Sequence, residues 1–210
     1  MTLCTLALGK RHSQLARRLS ESLPTPIQIS TEIPADVPKR SGDRQYDYHN
    51  KLFAIERHLD LDGTLFLDAD AICVDHGAFL AFVQSLTALP AGLYSPYTFS
   101  SYGFRHPSPP GRPVDRSRLT AVLRFMDSVL PLAEEDLLAF RMPYEWLMFF
   151  RFASGGQARE FFDRFHYLHA MLVNSTCTLG NDCNLIGLAA QHCRLPVVSL
   201  RGVSGIHHKK

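Results

Sequence analysis

A short apolar run, Thr64-Leu65-Phe66-Leu67, stops abruptly at Asp68-Ala69-Asp70. This break constrains the fold more than any other feature of the chain. An unpaired buried charge is very costly, so a buried strand cannot run on through two carboxylates. Both acids therefore belong at the strand's exit. Side chains alternate along an extended backbone, so residues 68 and 70 point to one side with small Ala69 between them. Two hard oxygen ligands on one side suit Mg²⁺ or Mn²⁺, whose octahedron phosphate oxygens and water would complete. The plainer reading of an isolated Asp-x-Asp is a turn in which Asp68 caps the next helix and Asp70 is solvated. The apolar run before it, and its place after about two strand-helix units, favour the metal.

The rest of the chain alternates short apolar runs with helical periodicity. Leu3 to Leu8 is a compact run ended by Gly9, and a helix follows through Leu15, Leu19 and Leu23 until Pro24 and Pro26 close it. Ile27 to Ile29 is a short strand, residues 34–42 a polar loop, and Tyr48 to Leu59 a helix with Leu52, Ile55 and Leu59 on one face. Phe79 to Leu86 is helical and Gly92 to Tyr97 extended. Beyond a Pro/Gly/Arg-rich loop at about 100–118 come helices through Leu119 to Val129 and around Leu137. A strand from Trp146 to Phe152, helices over 158–172 and 182–193, and a strand at 197–200 complete the pattern. The expected fold is α/β, one domain over 1–210, with a mostly parallel central sheet and helices on both faces. Such sheets bind ligands at the carboxyl ends of their strands, where Asp68 lies.

Composition narrows the partners. A net charge of +2 on 210 residues gives no electrostatic case for nucleic acid. No stretch approaches the ~18 apolar residues of a membrane span, and the first residues lack the basic region of a signal peptide. Five cysteines without regular spacing form no disulfide framework, which points to a reducing cytoplasm. A zinc module of Cys177, Cys183, His192 and Cys193 is disfavoured because adjacent His192 and Cys193 diverge on a helix.

The segment from Thr64 to Asp75 resembles the Asp-x-Asp region of GT-A glycosyltransferases, the nucleotide-diphospho-sugar transferase superfamily, and family 8 in particular. Three further stretches are similar to that family. Tyr48 to Ile55 resembles the Lys-bearing helix ahead of the strand. Gly180-Asn181-Asp182-Cys183-Asn184-Leu185-Ile186 resembles the segment near the donor sugar, with Cys183 standing where the family has Gln. Gly205-Ile206-His207-His208-Lys209-Lys210 resembles the terminal element that supplies a metal-binding His and a phosphate-binding Lys.

The resemblance implies a Rossmann-like GT-A sandwich and a metal-dependent hexosyltransferase-like enzyme. It would move a sugar from a nucleotide-diphosphate donor, most often a uridine diphosphate (UDP) sugar, to a saccharide or other hydroxyl acceptor. It places Ala7, Leu8 and Gly9 near the nucleoside, with Lys51, Ala69, Asn181 and Lys209 also on the donor side. Asp68, on the donor's ribose or on the metal, and Asp70, directly on the metal, would hold the donor with Mn²⁺ or Mg²⁺, together with His207 or His208. Arg11 would add positive charge. Asp182 would bind donor-sugar hydroxyls, or cap a helix; Glu145 would serve as base toward the acceptor, or be a solvated strand-end acid. Two other enzyme classes fit part of the pattern: a haloacid-dehalogenase-type phosphatase with Asp68 as nucleophile, and a sugar nucleotidyltransferase, whose phosphate loop needs more glycines than Gly9 alone.

Overall fold

The computed structural model describes residues 1–35, 37, 46–100, 141–143, 146–173, 182–200 and 202–208. Thr2–Leu6 forms β1 and Gly9–Ser22 forms α1, with Ala16 and Leu19 buried. The helix stops at Ser22 because Leu23, one residue before Pro24, is extended. Gln28–Ser30 is β2 and Tyr46–Arg57 is α2. Thr64–Leu67 is β3, buried at every position, and Ala71–Cys73 is β4. Asp75 then caps α3, His76–Leu86, by accepting from the Ala78 N–H at 2.9 Å. The acid that follows the Asp-x-Asp pair is thus a helix cap.

Gly92–Ser95 is β5, shorter than the sequence pattern because Pro96 cannot donate to a ladder. Thr98–Ser100 (β6) pairs instead, antiparallel, with Arg141–Pro143 (β7). Leu147–Arg151 is β8, Gly155–Val173 is α4, Asp182–His192 is α5, Val197–Ser199 is β9 and Ile206–His208 is β10. The loop at 101–118 and the helices expected through 119–137 lie outside the described residues.

The central sheet has six strands in the order β2-β1-β3-β8-β5-β9. It is mixed and mostly parallel: β8 alone runs against its neighbours β3 and β5. Residue alternation divides its side chains between two cores. Cys4, Phe66, Leu93, Met148 and Phe150 face α2, α4 and α5. Leu3, Leu65, Leu67, Tyr94, Leu147 and Phe149 face α1 and α3. Helices therefore cover both faces, as expected for strands that are apolar throughout. No helix among the described residues is long and apolar enough to cross a membrane.

The reversal of β8 positions the site. An antiparallel strand begins at the edge where its neighbours end, so Trp146, just before β8, lies beside the exit of β3. The β3–β8 ladder accordingly extends one bond further, with the Asp68 N–H donating to the Trp146 carbonyl at 2.8 Å.

Candidate metal and nucleotide site

Two ladders meet at residues 68–73. The central sheet fixes Asp68 through the Trp146 carbonyl, and the Ala71 N–H turns back to the Asp68 carbonyl at 3.0 Å. The chain then enters β4, which pairs antiparallel with β10 in a separate two-stranded sheet, setting His208 opposite Ala71 and His207 opposite Ile72. The alternation of β10 exposes His207 and leaves His208 half-buried beside the carboxylates.

His208 Nε2 lies 3.0 Å from Asp70 Oδ1 and 3.8 Å from Asp68 Oδ2. One ligand atom from each of Asp68, Asp70 and His208 falls within 4.8 Å of the others. Among the described residues no other group of three or more His, Cys, Asp or Glu side chains converges in this way. The donor set fits a divalent ion: two carboxylate oxygens and one imidazole nitrogen on one side suit Mn²⁺ or Mg²⁺ and leave the opposite side to phosphate and water.

Lys51 divides the roles of the two Asp68 oxygens. Its Nζ sits 2.8 Å from Oδ1, so Oδ2 is the oxygen turned toward His208. The ammonium is held in place by burial, with 10 % of the side chain exposed, and lies 5.8 Å from the centre of the Phe66 ring. Lys51 thus pairs with Asp68 and also lines the cavity described next.

Beside the acids opens a cavity of about 690 Å³. Leu6, Leu8 and Gly9 at the exit of β1 form one wall, with Ala69 and Phe66 at the level of the acids. Arg11, His12 and Leu15 line it from α1. Gly9 opens α1 at φ +75°, a conformation that glycine adopts without strain. Leu8, the N-cap residue, makes no side-chain capping bond and the first turn carries no acidic residue. The positive end of the helix dipole and the Arg11 cation therefore stand together at the cavity. That arrangement suits an anion.

Of the residues singled out in the sequence, Leu8, Gly9, Arg11, Lys51, Asp68, Ala69 and Asp70 share this cavity. Ala7 is buried behind it, against Ala16 and Ala69. Asp182 opens α5; its side chain, and the whole of Glu145, Asn181 and Lys209, lie outside the described residues. Sequence reasoning missed His12 and Trp146. His12 sits one helical turn after Gly9, a spacing that could have flagged it. Trp146 borders the apolar run of β8 and is the chain's one tryptophan.

Among the described residues, Cys4, Cys73, Cys183 and Cys193 are buried. Burial pushes the Cys4 thiol up to about 12, and burial followed by Glu160 pushes Cys193 up to about 11. No protein-family model and no curated protein matches the chain.

Proposed function

We propose that the protein is a GT-A-type glycosyltransferase that moves a sugar from a nucleotide-diphosphate donor, UDP being the first choice, to a hydroxyl acceptor. The observation that carries the reading is the convergence of Asp68, Asp70 and His208 on the edge of a cavity whose other wall is an uncapped, positively charged helix start. A diphosphate needs both: a divalent ion on one side and amide or cationic donors on the other.

In this reading Asp70 and His208 hold the ion directly, and Asp68 holds it through Oδ2 while Lys51 keeps Oδ1. The ion supplies neutralisation of the charge that develops on the leaving diphosphate. The α1 N-terminus and Arg11 orient the phosphates from the other side. The backbone around Ala7, Leu8 and Gly9 lies along the nucleoside, with Leu6 and Leu15 giving apolar contact. Asp182 is assigned to donor-sugar hydroxyls, and Glu145, directly before Trp146 in the chain, to a base toward the acceptor. We place the protein in the cytoplasm, in keeping with cysteines whose spacing forms no disulfide framework.

Calorimetric titration of UDP with and without Mn²⁺, for the wild type and Asp70→Ala, tests the proposal. Metal-dependent binding that Asp70→Ala abolishes is expected. Folded wild-type protein that binds no UDP under either condition refutes the uridine donor and directs attention to other nucleotides and to phosphate release by Asp68.

A further inference from the structure

His208 depends on a short strand for its position. β10 has three residues and pairs with β4 alone, outside the central sheet. The imidazole itself makes two kinds of contact among the described residues. Its Nε2 faces the carboxylates of Asp70 and Asp68, and its ring lies nearly parallel to the Trp146 indole, 18° between planes and 5.5 Å between centroids. When Nε2 ligates an ion, its direct 3.0 Å approach to Asp70 Oδ1 no longer orients the ring, because the same nitrogen position faces the ion. The indole face is then what continues to orient the ring.

Trp146 also acts on a second ligand. Its carbonyl takes the Asp68 N–H at 2.8 Å, at the point where β3 hands over to the Asp-x-Asp turn. One residue therefore fixes Asp68 through its main chain and His208 through its side chain. The first contact holds for any residue at 146; the second needs a flat aromatic ring.

We infer that Trp146 is a positioning residue of the metal centre, acting on His208 by stacking. The inference rests on the proposed metal-binding role of Asp68, Asp70 and His208. Metal-bound imidazoles are ordinarily oriented by an outer partner whose loss costs roughly 10–100-fold in metal affinity. Here the partner is an aromatic face, and the lower end of that range applies because the Asp68 contact survives substitution.

The test is Mn²⁺ affinity in the presence of UDP, by calorimetry, for wild type, Trp146→Phe and Trp146→Leu, each also in a His208→Ala background, with thermal melts of every variant. Trp146→Phe retains a stackable ring and should stay within about threefold of wild type. Trp146→Leu keeps apolar bulk without the flat face and should lose about tenfold. In the His208→Ala background the two substitutions should no longer differ, because there is no ring left to orient. A Trp146→Leu protein that melts cooperatively and binds Mn²⁺ as the wild type does overturns the inference. So does an equal loss with and without His208, which would mean that Trp146 acts through the sheet. Wild-type protein that takes up no Mn²⁺ with UDP overturns the metal centre itself, and the inference with it.

Discussion

Gly205 holds the strand that delivers His208, and replacing it by alanine should release that strand. Gly205 sits at φ +74°, where a side chain costs about 1 kcal/mol or more. A Cβ there would lie 2.5 Å from the Asp75 carbonyl oxygen and 2.8 Å from Phe79 Cα, and closer still to the Phe79 nitrogen. These are backbone atoms at the start of α3, so no side-chain rotation relieves the clash, and overpacking of this kind adds about 1–3 kcal/mol. The Gly205 carbonyl also accepts from the Val74 N–H at 2.9 Å and the Asp75 N–H at 3.3 Å, bonds that the displaced strand gives up.

The total is about 3 kcal/mol against docking, equivalent to roughly a hundredfold shift in the docked population. Amide hydrogen exchange reads this directly. The Val74 and Asp75 amides should exchange about a hundredfold faster in Gly205→Ala, whether the segment opens locally or the whole domain is weakened. Mn²⁺-dependent UDP binding should fall with it, since His208 leaves with the strand. Wild-type protection at Val74 and Asp75 in the variant would refute the reasoning.

Phe150, fully buried at the sheet centre between β3 and β5, should cost about 3–5 kcal/mol on Phe150→Ala, measured by urea unfolding. Lys51→Met leaves Asp68 without its close cation, so stability without metal should drop by about 3 kcal/mol; Mn²⁺ should then raise the melting temperature more in the variant than in wild type, because the ion meets one cation fewer. Burial, and then the neighbouring His166, hold His169 down at about 4, below its unfolded value of 6.5. The unfolded chain thus binds the extra proton between those values, so this residue's contribution to stability is complete above pH 6.5 and is lost as pH falls toward 4. Urea midpoints across that range should show the slope, and His169→Phe should reduce it.

The strand before the acids was legible because burial and charge conflict so sharply there: Thr64 to Leu67 is apolar and Asp68 is not. The helices were legible through spacing, as Leu52 and Ile55 in α2 show, and their ends through prolines. The direction of β8 was not. Leu147 to Phe150 is buried on both faces, so its sequence reads the same whether it runs with its neighbours or against them. Nor were β4, β6, β7 and β10, each of three residues, which owe their extended form to a partner distant in sequence. The sequence leaves His207 and His208 undivided for the same reason. The choice depends on the phase of β10 against β4, and a one-residue slip would exchange the two. The aromatic face over His208 is a tertiary contact, and no local pattern announces it.

The pairing of β4 with β10 has a temporal consequence. β1 and β3 can join once residues 2–67 have been made, and β8 can join them after residue 151. His208 comes later still, so a growing chain acquires its sheet and its two acids well before the third ligand reaches them. Until then Asp68 has Lys51 beside it, and neither acid has the imidazole. On the proposed reading, competence to hold an ion thus follows completion of the β1–β3–β8 core of the sheet, and a single cut between β9 and β10 would remove it while leaving all six strands of the central sheet joined.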